Sequence, residues 1–343
     1  VGFAGGRLGH RRALDGLRGA AILLVLVCHV GSFDLRRFDR FHALGSAGVE
    51  VFFALSGFLI TSLLIEERAS TGGVSLRRFF ARRTRRLVPA LTLLLSGALL
   101  ARAVVGKAFA PTVWPASLYT SNWAQIRGTD LGALDHTWSL SIEEQFYLVW
   151  PLAFLAVARW RNGPLVVASL GMTVSLIARF ALGGQRAYLG SDTQAASLLV
   201  GCLLAILMHR SLNSPAAHPI LPAALASSSL LFALADDRWA GDVLAPTIVP
   251  LLTCVAIWLV CGTRAWVLEW GPLRYVGRRS YALYLWHMPC IWLMGHWLGA
   301  SLGSGLLALG VAFAVAETSW RLLEHPILSA TTSRPPILAP AAA

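Results

Sequence analysis

Residues 15–29 read DGLRGAAILLVLVCH, an apolar run with Arg18 at one end and His29 at the other. On a helix, eleven residues turn about 1100°, or three turns plus about 20°, and rise about 16 Å. The two groups therefore share one face. Ionisable side chains inside an apolar segment are costly and usually turn towards a bundle interior or a wet cavity. Taken alone, Arg18 reads as a side chain snorkelling to headgroups and His29 as a satisfied core histidine. Their shared face favours one cavity that holds both. An imidazole there suits general-base chemistry, because its unperturbed pKa lies near neutrality.

Four further stretches carry chemistry-capable side chains. In SLRRFFARRTRRLVP, residues 75–89, a helix would place Arg78, Arg82, Arg85 and Arg86 on one face, with Arg83 beside them. Such a face anchors anionic lipid or clamps a polyphosphate, since guanidinium forks match phosphate oxygens. In HTWSLSIEEQFYLVWP, residues 136–151, adjacent Glu143 and Glu144 enter an apolar helix and point about 100° apart. Ser139 shares a face with Glu143, and either Ser139 or Ser141 could instead cap the helix. Glu50 opens EVFFALSGFLIT, where Ser56-Gly57 leaves room for close helix packing or a ligand arm. Finally, SYALYLWHMP and ETSWRLLEHP place His287 and Glu317 in apolar surroundings, where structural roles are the plainer reading.

The elements that position these residues follow from composition. The chain has 343 residues, 56% hydrophobic and only 13% charged, far from the quarter charged of a soluble domain. Ten apolar spans are expected, at about 13–31, 47–65, 87–105, 142–158, 164–181, 195–209, 219–235, 246–262, 280–297 and 302–320. The fold class is an all-α polytopic membrane protein, with about ten transmembrane helices in one bundle. Residues 1–326 form the membrane domain, and 327–343 read as a disordered tail. The first span lacks a small-residue cleavage site and is not expected to be a removable signal.

Of the 29 Lys and Arg, 19 fall in segments on the same side as the termini. That places both termini in the cytoplasm of a multi-pass cell-membrane protein. The net charge of +12 is thereby explained by topology and lipid, with no nucleic-acid partner. The connection 106–141, rich in Trp, Pro, Gly and Asn, is expected at the outer surface with its aromatics at the interface. The five cysteines lie in apolar segments without metal-ligand spacing, so no metal site is expected.

Together these stretches resemble the acyltransferase 3 family of integral membrane acyltransferases, over roughly residues 11–326. LDGLRG leading to Arg18 with ten residues before His29, VEVFFALSGFLI, RRTRRLVP, HTWSLSIEEQFYLVWP and SYALYLWHMP are the matching motifs. Glu50 stands where aspartate is common, and Arg83 and Arg86 best match the paired arginines. SDTQAASLLVG, residues 191–201, departs: Gln194 replaces an arginine of an Asp-Thr-Arg segment, and Ala196 or Ser197 replaces a later acid. The departure points to a differing acceptor. The esterase-like domain that some members append is not expected in this chain.

The resemblance implies transfer of an acyl group, commonly acetyl, from cytoplasmic acyl-CoA to a hydroxyl of a sugar or glycoside. The acceptor would be a cell-envelope glycan or an antibiotic such as a macrolide. Acyl-CoA is then a co-substrate, with no tightly bound cofactor. Arg78, Arg82, Arg83 and Arg86 would hold the phosphates of CoA, and Arg18 would meet the pantetheine arm. His29 would act as base, with Glu143 or Glu50 orienting it. Ser139, Glu144, Tyr147 and His287 are the expected acceptor contacts. A transporter using the same Arg, His and Glu residues as a relay is the rival reading, weakened by the lack of an inverted repeat.

Overall fold

The computed structural model describes residues 11–31, 38–210, 245–262 and 265–327. Among the described residues the chain is helical, with no strand. The long helices are α1 (Arg12–Gly31), α2 (Phe38–Thr71), α3 (Leu76–Val105), α4 (Thr137–Val157), α5 (Gly163–Leu182), α6 (Ser191–His209), α7 (Ala245–Gly262), α8 (Ser280–Leu298) and α9 (Leu302–Ser319). Seven helices in this set are long and apolar enough to cross a membrane. They are α1 to α6 and the run Leu302–Ile327 that includes α9. The protein is an all-α, multi-pass membrane protein.

Nine of the ten expected spans coincide with these helices. The tenth, 219–235, lies outside the described residues, as do residues 328–343 of the expected tail. Two spans are weaker than the rest. The apolar part of α7, Pro246–Gly262, falls short of a full crossing. Helix α8 has 19 residues, includes Tyr281, Tyr284, His287 and His296, and is not among the seven.

Helices α1, α2 and α6 form the interior. Their most apolar windows are 67%, 72% and 67% buried, against 17% for α5, which turns its apolar surface outwards to lipid. Glycines set how closely the interior helices meet. A Cβ on Gly57 of α2 would stand 1.8 Å from the Leu198 carbonyl oxygen, and one on Gly201 of α6 would stand 2.0 Å from that of Ala54. Backbones touch there, so Ser56-Gly57 does serve packing. The LDGLRG lead-in has a similar cause. A Cβ on Gly16 would fall 1.8 Å from the Leu268 carbonyl, and one on Gly277 would fall 1.7 Å from that of Asp15. Gly277 belongs to the short helix Gly271–Arg278, which lies against the start of α1.

Helix α3 begins at Ser75, whose hydroxyl accepts from the Arg78 backbone N–H, an N-cap of the usual kind. Pro89 lies within it. The segment joining α3 to α4 differs from the surface loop expected. It folds into two short helices, Trp114–Ser117 and Ser121–Ile126, and a 3₁₀ turn, Gly132–Leu134. Trp114 is exposed, yet Leu131, Ala133 and Leu134 are fully buried. They pack with Leu94 of α3 and Leu285 of α8. The Asp135 carboxylate accepts from the Leu131 backbone N–H at 3.1 Å, while burial pushes its pKa up. This plug delivers residue 136 into the bundle.

Candidate active site

The His29 end of α1 carries a cluster of three imidazoles. His29 places Nδ1 2.8 Å from the Val25 carbonyl oxygen. A carbonyl only accepts, so the hydrogen of neutral His29 is assigned to Nδ1 and the lone pair to Nε2. The His287 ring lies 4.9 Å away between centroids. His287 is fully buried, and its Nδ1–H donates to the Tyr284 carbonyl at 2.7 Å. His136, the residue before α4, packs on His287 at 5.1 Å. Its Nε2–H donates to the Leu285 carbonyl at 3.2 Å.

A hydroxyl chain braces the cluster. Ser139 Oγ lies 2.5 Å from the Tyr284 phenol oxygen, and the Tyr284 O–H donates to the His136 carbonyl at 2.6 Å. Ser139 is thus committed to α8 and caps nothing. Ser141 bonds the Thr137 carbonyl at 3.0 Å. The start of α4 has no side-chain cap, because its serines face the bundle. Two ring nitrogens in the cluster, His287 Nε2 and His136 Nδ1, are buried without a hydrogen-bond partner.

The Arg18 end is charged and more open. Arg18 is about a quarter exposed and 3.9 Å from Asp15. Arg86, Tyr147 and Glu143 are its other charged or titratable neighbours. The two adjacent glutamates diverge as their spacing requires. Glu143 accepts from Ser56 Oγ at 2.6 Å, whereas Glu144 accepts from Arg83 at 2.8 Å. The Arg83 guanidinium also lies over the Tyr147 ring, 3.3 Å from its centroid. The arginine face is therefore divided. Arg83 turns inwards, Arg78 and Arg82 both approach Glu67 at 3.5 and 3.2 Å, and Arg85 and Arg86 are exposed.

Glu50 belongs to a different set. It is buried and lies beside Ser197 and the charge of Arg179. Arg179 is fully buried and uses every donor. Nε–H meets the Thr193 carbonyl at 3.1 Å, and Nη1 meets the Pro246 carbonyl at 2.5 Å and Thr247 Oγ1 at 3.5 Å. Nη2 meets Gln194 Oε1 at 2.9 Å and Ser197 Oγ at 3.2 Å. The Gln194 amide nitrogen donates to the Tyr188 carbonyl at 2.8 Å. The substituted positions of SDTQAASLLVG are thus occupied by protein partners. Arg179, from α5, supplies a guanidinium beside Gln194.

The structure brings Arg18, Glu143, Glu144, Tyr147 and Arg83 together, and separately His29, His287 and Ser139. It directs Glu50 to Arg179. Sequence reasoning missed His136, Tyr284 and Arg179 as site or scaffold groups. The signals were present: His136 opens the HTWSLS motif, Tyr284 precedes His287 by three residues, and Arg179 interrupts an apolar span.

A family profile described as an acyltransferase domain matches residues 11–318. The chain belongs to the acyltransferase 3 family. Its relatives include the peptidoglycan O-acetyltransferase OatA of Listeria monocytogenes, 29% identical over 92% of this chain and 55% of the relative. The O-acetyltransferase OatA of Staphylococcus aureus is also 29% identical, over 92% of this chain and 56% of its own. YrhL of Bacillus subtilis is 31% identical, over 92% and 54%. The chain spans just over half the length of these relatives. No solved structure matches it.

Proposed function

We propose that this chain is a membrane O-acyltransferase that moves an acyl group, acetyl in the first instance, from acyl-CoA to a sugar hydroxyl of a cell-envelope glycan. The observation that carries the reading is the division of α1: a charged opening around Arg18 and, about 16 Å along the same face, an imidazole whose Nε2 holds the lone pair. A CoA headgroup cannot enter a bilayer, but its thin arm can thread such a path. Exposed Arg82, Arg85 and Arg86, with Arg78, meet the phosphates. Arg83 holds Glu144 in place and Arg18 meets the arm. His29 Nε2 removes the acceptor proton; oxygen attacks the thioester carbon, the C–S bond breaks, and the thiolate recovers the proton. The acceptor class rests on relatives named for peptidoglycan O-acetylation, which favours an envelope glycan over an antibiotic glycoside.

The test is purified protein in nanodiscs with radiolabelled acetyl-CoA, offered peptidoglycan fragments and, separately, a macrolide. Label on the glycan, lost in His29→Ala, supports the reading. Label on the macrolide alone overturns the acceptor, and no CoA release with any acceptor overturns the transferase. The scheme also requires both termini on the cytoplasmic side. A cysteine introduced at Asp130 should react with an impermeant reagent from outside, and one at Ser75 should not. The reverse pattern excludes a cytoplasmic donor.

A further inference from the structure

Three segments meet away from both the imidazole cluster and the Arg18 opening. Trp123 comes from the short helix Ser121–Ile126, Arg186 from the short helix Gly184–Leu189, and Asp192 from the first turn of α6. Arg186 donates from Nη1 to Asp192 Oδ1 at 2.8 Å and from Nη2 to Oδ2 at 2.6 Å, fork against fork. Its guanidinium also stands over the Trp123 indole, 5.0 Å from the ring centroid. A surface ion pair contributes little to stability, yet this one is closely fitted. A Cβ on Gly190 would fall 1.8 Å from Arg186 Nη1 and 2.6 Å from Asp192 Oδ1, so the pair sits where only a glycine leaves room. Trp123 Nε1–H donates to Gln145 Oε1 at 3.2 Å, and Ser191, next to Asp192, donates to the same oxygen at 2.5 Å. The Asn122 amide nitrogen donates to the Leu189 carbonyl at 3.0 Å and to Ser191 Oγ at 2.9 Å. Gln145 thereby ties the indole and the Asp192 turn to α4.

The group is held firmly and left open. The Arg186 side chain is 29% exposed and that of Asp192 48%, and the indole is half-buried. Among the described residues Arg186 donates only to Asp192, which leaves further guanidinium hydrogens for a ligand. The carboxylate can only accept. A free anion meets repulsion from Asp192, and a free cation meets it from Arg186. A sugar meets neither. Each hydroxyl both donates and accepts, so two neighbouring hydroxyls can give a hydrogen to Asp192 and take one from Arg186. The C–H face of the same ring suits the negative face of an indole. The position also fits an acceptor. Tyr188, two residues beyond Arg186, packs its ring on Trp138 at 4.6 Å. Both rings join Val25 and Leu26 of α1 in one cluster, within about a turn of His29.

We propose that Trp123, Arg186 and Asp192 form a sugar-binding subsite that receives the glycan acceptor at the His29 end of the bundle. One uncharged sugar ring lies against the indole, with a neighbouring pair of hydroxyls shared between Asp192 and Arg186. Gln145 is a positioning residue: it meets no sugar, but it sets the indole and the Asp192 turn at one depth. The purpose of the subsite rests on the transferase reading above; the sugar chemistry rests on these three side chains. Donor and acceptor then approach His29 from opposite ends of α1 and do not share a path.

Binding without a donor tests the subsite directly. The full chain in nanodiscs is titrated calorimetrically with a disaccharide-peptide fragment of peptidoglycan, in the absence of acyl-CoA. Trp123→Phe keeps an aromatic face and should bind within about threefold of wild type, whereas Trp123→Leu keeps apolar bulk alone and should bind about 30-fold more weakly, the scale of an aromatic anchor. Asp192→Asn keeps the shape and loses the charge, and should weaken binding about tenfold. Unfolding temperatures within a few degrees of wild type show that the variants are folded. In the transfer assay the same variants should raise KM for the glycan by similar factors and leave KM for acetyl-CoA within about twofold. A Leu variant that binds as well as the Phe variant overturns the subsite, as does a wild-type protein that binds no glycan fragment. Transfer to the glycan with an unchanged glycan KM in the Leu and Asn variants overturns the subsite and leaves the transferase standing. Glycan binding lost in those variants, in a protein that releases no CoA, upholds the subsite and removes the transferase reading alone.

Discussion

Two of the buried polar sets in the bundle are finished to different degrees. Around Arg179 every N–H meets an oxygen, from Thr193, Pro246, Thr247, Gln194 or Ser197. Around His287 two ring nitrogens have no partner. Saturated donors of this kind fix a fold, because each Arg179 N–H is already satisfied by protein, although Glu50 Oε2 beside it meets no partner. An unsaturated set keeps capacity for something that arrives during function.

The sharpest way to break the contrast is to unbalance the saturated set. Arg179→Met strips the Thr193 and Pro246 carbonyls and the Gln194 amide oxygen of their buried donor, and each buried acceptor left unmade costs about 1–3 kcal/mol. Folded yield and thermal unfolding in detergent should fall sharply. The double variant Arg179→Met with Glu50→Gln should recover part of the loss, since Glu50 lies beside the Arg179 charge. Equal damage in both variants would show that Glu50 does not depend on Arg179.

The unsaturated set should respond in the opposite sense. His29→Ala is expected to keep a normal unfolding temperature and lose about 10²–10⁴-fold in transfer. Turnover near the wild-type rate would remove His29 from the chemistry. A smaller effect is expected at the Arg18 end. Replacing Arg82, Arg85 and Arg86 with glutamine should weaken CoA binding about tenfold and flatten its salt dependence, since exposed charges are screened by salt. Arg83→Gln should instead disturb Glu144 and lower the unfolding temperature by a few degrees. A fall in CoA affinity without loss of stability would return Arg83 to the donor clamp.

The sequence was clear about what depends on neighbours along the chain. The helices followed from apolar runs, the Arg18–His29 face from helical period, and the divergence of Glu143 and Glu144 from adjacency. It was silent where partners come from distant segments. The Arg179 partners lie on α6 and α7, so in sequence this arginine looks like a charge near a span end. His136 looks like a loop residue because its carbonyl partner, Leu285, lies 149 positions away. The composition of the connection 106–141 places it at the outer surface and gives no sign that Leu131 and Leu134 are core. Gln194 stood out as a departure. Its meaning needed Arg179, which no local pattern attaches to it.

The contact of Gly16 and Gly277 with neighbouring backbone bears on how a mutational survey of this protein would look. A side chain at Gly277 drives the helix Gly271–Arg278 away from α1, and one at Gly16 drives α1 away from the Leu268 carbonyl just before that helix. A slip of one residue along α1 would swing His29 about 100° off its face. A screen scored on activity alone would therefore rank these two glycines beside His29, although neither approaches a reacting atom. Pairing every activity score with a measure of folded protein would separate the ruler that sets the depth of His29 from the histidine itself.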